Sequence, residues 1–182
     1  MTVLGYLGPK GTFTYGAASA YITCQRETYE LHSERSIFSL FEGLKRVKYE
    51  YIIVPVENSL EGAVTMTMDA LVRLEGFQIV NEVVMSINQS LLAKKGTHIK
   101  DISTIVSHVQ PIAQCRDYLD TKFSDISIHE MGSTAIAAAH VQQSSEALAV
   151  IGHESLAGFY GLDILDSNIQ DSQINKTRFL VI

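Results

Sequence analysis

Three strand-then-helix units in a row, followed by one long segment that breaks the rhythm, constrain this chain most. Residues 3–7 read as a strand, and GPKGTFT follows with Gly8, Pro9 and Gly11 forcing a tight turn. Thr12 or Thr14 then caps a helix carrying Ala17, Ala18, Tyr21 and Ile22. Residues 28–32 form a second short strand, and Ser36 caps an amphipathic helix with Ile37, Leu40, Phe41, Leu44 and Val47 on one face. Residues 51–56 are an apolar, β-branched run, short enough to be a strand buried on both faces. Pro55 argues for an edge position or for the place where that strand leaves its sheet. After Gly62 a helix carries Val64, Met68, Leu71 and Leu74 and ends near Gly76. This order predicts an α/β fold with mostly parallel sheets, covered on both sides by helices.

The character changes at Phe77. FQIVNEVVMSINQSLLAKKG is long, strand-like and without a helical period, as befits a segment leaving one sheet for another. The crossing is placed near Asn81 and Glu82. Further strands are predicted at 103–106, around Ile126 and Ile128 and at 147–151, and residues 162–165 with Ile169 lead to the final strand at 177–182. Between them run a helix through Tyr118 and Leu119, an alanine-rich helix capped by Ser133 or Thr134, and a short helix opened by His153, Glu154 and Ser155. The expected organisation over 1–182 is therefore one lobe of about 1–80 plus 163–182 and a second of about 81–162, with Gly158 and Gly161 as hinge positions.

Composition removes several function classes. With 46% hydrophobic and 19% charged residues the chain is globular. A net charge of -6 and no Lys/Arg cluster leave no field for nucleic acid. The N-terminus MTVLGYLGPKGTF lacks an export leader, and no apolar run reaches the ~20 residues of a membrane span. Cys24 and Cys115 fit neither a zinc pattern nor a disulfide framework, and read as small buried apolar residues in a reducing cytoplasm.

Five loops leave strand ends with small polar groups: GPKGTFT, VENSLEG, SHVQPIAQC, GSTAIAA and NKTRF. Such loops, several of them opening helices, are where α/β folds collect ligand-binding groups. They offer the hydroxyls of Thr12, Ser59, Ser107, Ser133, Thr134 and Thr177, the amides of Asn58, Gln110 and Gln114, and one arginine, Arg178. Gly5, Gly8 and Gly11 are spaced GxxGxxG, which is not the dinucleotide fingerprint. No metal-ligand cluster, nucleophile elbow or Cys/His pairing is present, so chemistry here rests on neutral donors and fixed dipoles.

In order and in approximate spacing, GPKGTFT, VPVENSLEG, SHxQxxAQC, GSTAxAA and NKTRFLVI resemble the prephenate dehydratase family over essentially the whole chain. The resemblance implies a two-lobed, type II periplasmic-binding-protein-like fold with substrate in an interlobe cleft. It implies loss of carbon dioxide and hydroxide from prephenate to give phenylpyruvate in phenylalanine biosynthesis, with no cofactor and no metal. Thr177 becomes the principal catalytic hydroxyl, with Asn58, Ser107 and Gln114 also implicated. Thr12, Glu57, Ser59, His108, Ser133, Thr134, Ala135 and Arg178 join them as substrate-binding candidates, with Phe13 and Phe179 as an apolar wall. Val109 stands where the family usually has proline after the histidine. Family members usually continue into a phenylalanine-binding ACT domain, so the expectation for this chain is a truncated or an unregulated form, assembled as a homodimer through its catalytic lobes. The alternatives are arogenate dehydratase, or a small-carboxylate binding module of the same fold without chemistry.

Aromatisation drives the reaction, so the enzyme need only help the ring hydroxyl depart and hold the pyruvyl end. Strong stabilisation of the departing carboxylate would favour the ground state. Threonine is too weak an acid to surrender a full proton unaided, and the sequence does not say what polarises Thr177. On a regular final strand Thr177 and Phe179 share one face while Arg178 points the other way, where Glu57 or Asp171 would anchor it. His108 reads equally as a general acid or as a cap on its turn. Glu57 and Glu61 read as solvated or salt-bridged carboxylates, Met66, Met68 and Met85 as core filling, and the remaining histidines as surface or packing residues.

Overall fold

The structure, a computed structural model, describes residues 1–182. The chain runs β1 (Thr2–Leu7), α1 (Phe13–Thr23), β2 (Tyr29–Glu34), α2 (Ile37–Lys45), β3 (Tyr51–Asn58), β4 (Gly62–Ala63), α3 (Thr65–Arg73) and β5 (Asn81–Ser86). It continues through β6 (Ser90–Lys94), a 3-10 turn (Ile99–Asp101), β7 (Thr104–Ser107), α4 (Val109–Gln114), α5 (Arg116–Lys122), β8 (Ser127–Glu130) and α6 (Thr134–Gln143). β9 (Leu148–Gly152), α7 (Ser155–Tyr160), β10 (Leu162–Ser167) and β11 (Lys176–Val181) complete it. No helix is long and apolar enough to cross a membrane.

Two compact units emerge, Met1–Ile87 with Ile174–Ile182, and Asn88–Gln173. The first holds a sheet in the order β2-β1-β3-β11-β5, with β4 beside β3. Here β1 runs parallel to β2 and β3, whereas β11 runs antiparallel to β3 and β5. The second holds β10-β6-β9-β7-β8, in which β7 is parallel to β8 and β9 but β6 is antiparallel to β9 and β10. Both sheets are thus mixed rather than mostly parallel. Parallel neighbours are those reached through crossover helices, while β5, β6, β10 and β11 flank the two helix-free links joining the units and pair antiparallel.

Those links also differ from the crossings read from sequence. β5 stays in the first sheet, in unbroken register with β11 from Lys176↔Ser86 to Val181↔Asn81. β10 belongs to the second sheet, paired with β6 from Leu162↔Lys94 to Ser167↔Ser90. The chain therefore passes between units at 87/88 and 173/174, because ladder pairing holds β5 and β10 to their sheets.

Each sheet buries both faces. Ile52 and Val54 of β3 pack with Ile37, Leu40 and Phe41 of α2, while Ile53 between them packs with Ala17 and Ala18 of α1. In the second unit Ala149 and Ile151 of β9 face Ile112, Cys115 and Leu119, and Leu148 and Val150 face Ala137, Ala138, Val141 and Leu156. Each of the Leu, Ile, Val and Phe side chains among these, fully buried, contributes about 1.5–3 kcal/mol. Pro55 fits within central β3 for a local reason. Ile52 exchanges both backbone bonds with Ile182 on the β11 side, so the Pro55 nitrogen faces β1, whose register has ended at Ile53.

Helix starts follow the capping chemistry. The side chains of Thr12, Ser36 and Ser133 accept from the backbone N–H of Tyr15, Ser39 and Ile136, which settles both cap alternatives. The helix expected through Tyr118 breaks into α4 and α5 at Cys115. Met66 and Met68 are exposed rather than core-filling, because α3 turns Thr67 and Ala70 inward.

Candidate active site

In the first unit, strand ends bring an amide and a hydroxyl into contact across a long sequence distance. Thr177 of β11 lies opposite Asn58 at the end of β3. The register then shifts from Arg178↔Glu57 to Phe179↔Pro55, so Val56 is an extra residue in β3 while β11 stays regular against β5. Strand alternation on β11 is accordingly intact. Thr177 is 9% exposed, Phe179 is core at 1%, and Arg178 faces the other way. Its guanidinium reaches Glu57 at 3.5 Å and Glu82 at 3.7 Å, both exposed pairs of little energetic weight. Asp171, the other anchor considered for Arg178, instead accepts from the backbone N–H groups of Arg116 and Asp117 at the start of α5.

The Asn58 amide organises this end. Its Oδ1 accepts from the backbone N–H of Leu60 at 2.9 Å and of Glu61 at 3.1 Å. Backbone nitrogens only donate, so these two bonds fix which way the amide faces. Nδ2 then donates to Asn175 Oδ1 at 2.7 Å and to Thr177 Oγ1 at 2.9 Å. Because the Thr177 oxygen accepts from Asn58, its own proton points elsewhere as a donor. Ser59 braces the turn: its Oγ donates to the Ile174 carbonyl at 3.0 Å and accepts from Lys176 N at 2.9 Å. Asn175 had not been singled out from sequence, although it stands two residues before Thr177 inside NKTRF.

At the start of α1, Thr12 Oγ1 donates to the Pro9 carbonyl at 3.0 Å and accepts from Tyr15 N at 3.2 Å. Its hydroxyl therefore serves the turn. Phe13 is partly buried against the cluster that holds Phe179.

The second unit holds the other candidates. Ser107 is fully buried and donates to the Ile151 carbonyl at 2.6 Å, so its proton is committed to tying β7 to β9. His108 caps α4, its Nδ1 accepting from Gln110 N at 3.4 Å. Gln114 Oε1 accepts from Gln89 Nε2 at 2.9 Å, and Gln89 N donates to Gln170 Oε1 at 2.8 Å. Gln89 is a second residue the sequence reading missed, since nothing in SINQS marks it. Ser133 is committed to its cap, and Ala135 is buried, so at the start of α6 what remains to a ligand is backbone N–H and the Thr134 hydroxyl. No group of three or more His, Cys, Asp or Glu side chains is placed to hold a metal ion.

The prephenate dehydratase family model matches residues 4–182. A prephenate dehydratase from Methanocaldococcus jannaschii is 37% identical over 97% of this chain and 63% of its own length. The crystal structure of prephenate dehydratase from Arthrobacter aurescens in complex with L-Phe superposes with a TM-score of 0.86 at 28% identity, covering 99% of this chain and 59% of that one. A periplasmic substrate-binding protein of an ABC transporter from Coxiella burnetii gives a TM-score of 0.50 at 13% identity, over 99% of this chain and 84% of that one, a likeness of fold alone. The chain thus spans somewhat less than two thirds of these two dehydratases. With its family model matched nearly end to end, this chain belongs to the prephenate dehydratase family.

Proposed function

We propose that this chain catalyses the decarboxylating dehydration of prephenate to phenylpyruvate, a carbon–oxygen lyase reaction. The carbon–carboxylate bond breaks, its electron pair enters the ring, and the carbon–oxygen bond opposite breaks so that hydroxide leaves and is protonated to water. Thr177 sits at the departing oxygen as hydrogen-bond donor. Asn58 polarises it by donating to Oγ1, which is the observation that carries the reading. A preorganised donor of this kind accelerates a step by about 10²–10³-fold. Asn58 and Thr177 are uncharged, which suits a substrate whose carboxylate must leave rather than be held. A cytoplasmic setting belongs to the same reading, supported by two free thiols.

The test is turnover of prephenate by purified protein, read as phenylpyruvate absorbance in alkali. Thr177→Ala is expected to lower kcat about 10²-fold or more, and Thr177→Ser to retain most of it. Absence of turnover from folded wild type, or full activity in Thr177→Ala, defeats the assignment.

A further inference from the structure

Asn175 is 2% exposed, and its Nδ2 is buried without a hydrogen-bond partner. Its orientation follows from its neighbour. Asn58 is fixed by two backbone donors, so it presents Nδ2 to Asn175, and Asn175 must answer with Oδ1. The amide hydrogens on Asn175 Nδ2 are left over as a consequence. Buried donors are nearly always paired, so an orphan beside a reacting group calls for a reason. The chemistry of the acceptor supplies one. Aspartate would also accept from Asn58 and would leave no orphan, but it would place a negative charge next to Thr177, where negative charge develops on the departing oxygen. Asparagine is a neutral acceptor of the same reach.

We infer that Asn175 is a positioning residue for the Thr177 hydroxyl. By taking one of the two Asn58 amide protons without bringing charge, it aims the other at Thr177 Oγ1. The inference rests on the proposed dehydratase reading for its kinetic consequence and on the amide geometry alone for its structural one. Ile87 N also donates to the Asn175 carbonyl at 2.8 Å, so the Asn175 backbone is held independently of its side chain.

Two measurements test it. In prephenate turnover, Asn175→Ala is expected to lower kcat about tenfold or more with KM within about twofold, the pattern of an interaction made in the transition state. Asn175→Ser covers the case in which the alanine variant does not fold. Asn175→Asp is expected to gain a descending limb absent from wild type. Burial raises the new carboxyl above its ordinary value of about 4, so the variant is active while protonated and loses activity as pH rises through that value. Wild-type kcat in Asn175→Ala or Asn175→Ser, a rise in KM alone, or an Asn175→Asp profile parallel to wild type overturns the inference. The second measurement, the side-chain amide NMR signal of Asn58, needs no turnover. Both of its protons are expected to be protected from exchange in wild type and one to lose protection in Asn175→Ala. An Asn58 signal indifferent to Asn175→Ala overturns the inference even if the protein proves inactive on prephenate, whereas inactivity with the expected NMR change defeats only the dehydratase reading.

Discussion

Replacing Gly43 of α2 by alanine sets two effects of opposite sign against each other. Glycine inside a helix costs about 1 kcal/mol relative to alanine, so Gly43→Ala on an open face would stabilise. Here a Cβ would stand 2.3 Å from Tyr49 Cε2 and 2.8 Å from Cδ2. The ring has nowhere to go. It is 1% exposed, its hydroxyl donates to Glu34, and a Cβ on Gly5 of β1 would itself meet Cδ2 at 2.9 Å. Overpacking of a rigid core costs roughly 1–3 kcal/mol, and a contact this short against a pinned aromatic belongs at the upper end. The net is destabilisation by about 2 kcal/mol, hence a Tm lower by about 4–8 °C for a chain of this size. Thermal unfolding followed by circular dichroism reads it directly. Combining Gly43→Ala with Tyr49→Leu, which removes the ring edge, should recover most of the loss as a coupling of about 2 kcal/mol in the double-mutant cycle. A Tm at or above wild type in Gly43→Ala alone would refute the packing argument and leave helix propensity as the larger effect.

Two further outcomes concern ionisation. Glu34 is held below its ordinary value of 4.5, first by the bond from Lys48 at 2.7 Å and next by the Tyr49 hydroxyl. A depressed carboxyl stabilises fully above the unfolded value and loses that contribution as pH falls below it, so Glu34→Gln should flatten the dependence of Tm on pH in the acid range; parallel profiles for the two proteins would count against this. Cys24 is exposed, whereas Cys115 is buried with its thiol pushed up to about 12 by burial and then by Asp171. A disulfide reagent should therefore titrate one thiol in the native chain and the second only in denaturant, and rapid reaction of both would contradict the burial.

Apolar runs and caps made most elements legible beforehand, because burial and hydrogen bonding within a few residues decide them. Strand direction and the crossings were not. β5 and β6 are both extended, and the switch between sheets at Ile87, Asn88 and Gln89 leaves no break in the residue pattern except a pair of amides. At the site, the sequence motifs point to Asn58 and Thr177, yet the hydrogen bond that joins them spans 119 residues, and the Asn175 contact spans 117. Local spacing carries no trace of such pairs. Ser107 shows the converse: its motif suggests a free donor, but only the fold reveals the Ile151 carbonyl that occupies it.

The placement of β11 has a consequence for synthesis. This strand lies between β3 and β5, yet it is translated after the whole of the second unit. On the ribosome the nascent chain can complete the contiguous stretch 88–173 while the first sheet still has an open slot in its middle. Asn58 therefore waits for its partners until Asn175 and Thr177 emerge, and both contacts form only as that slot is filled.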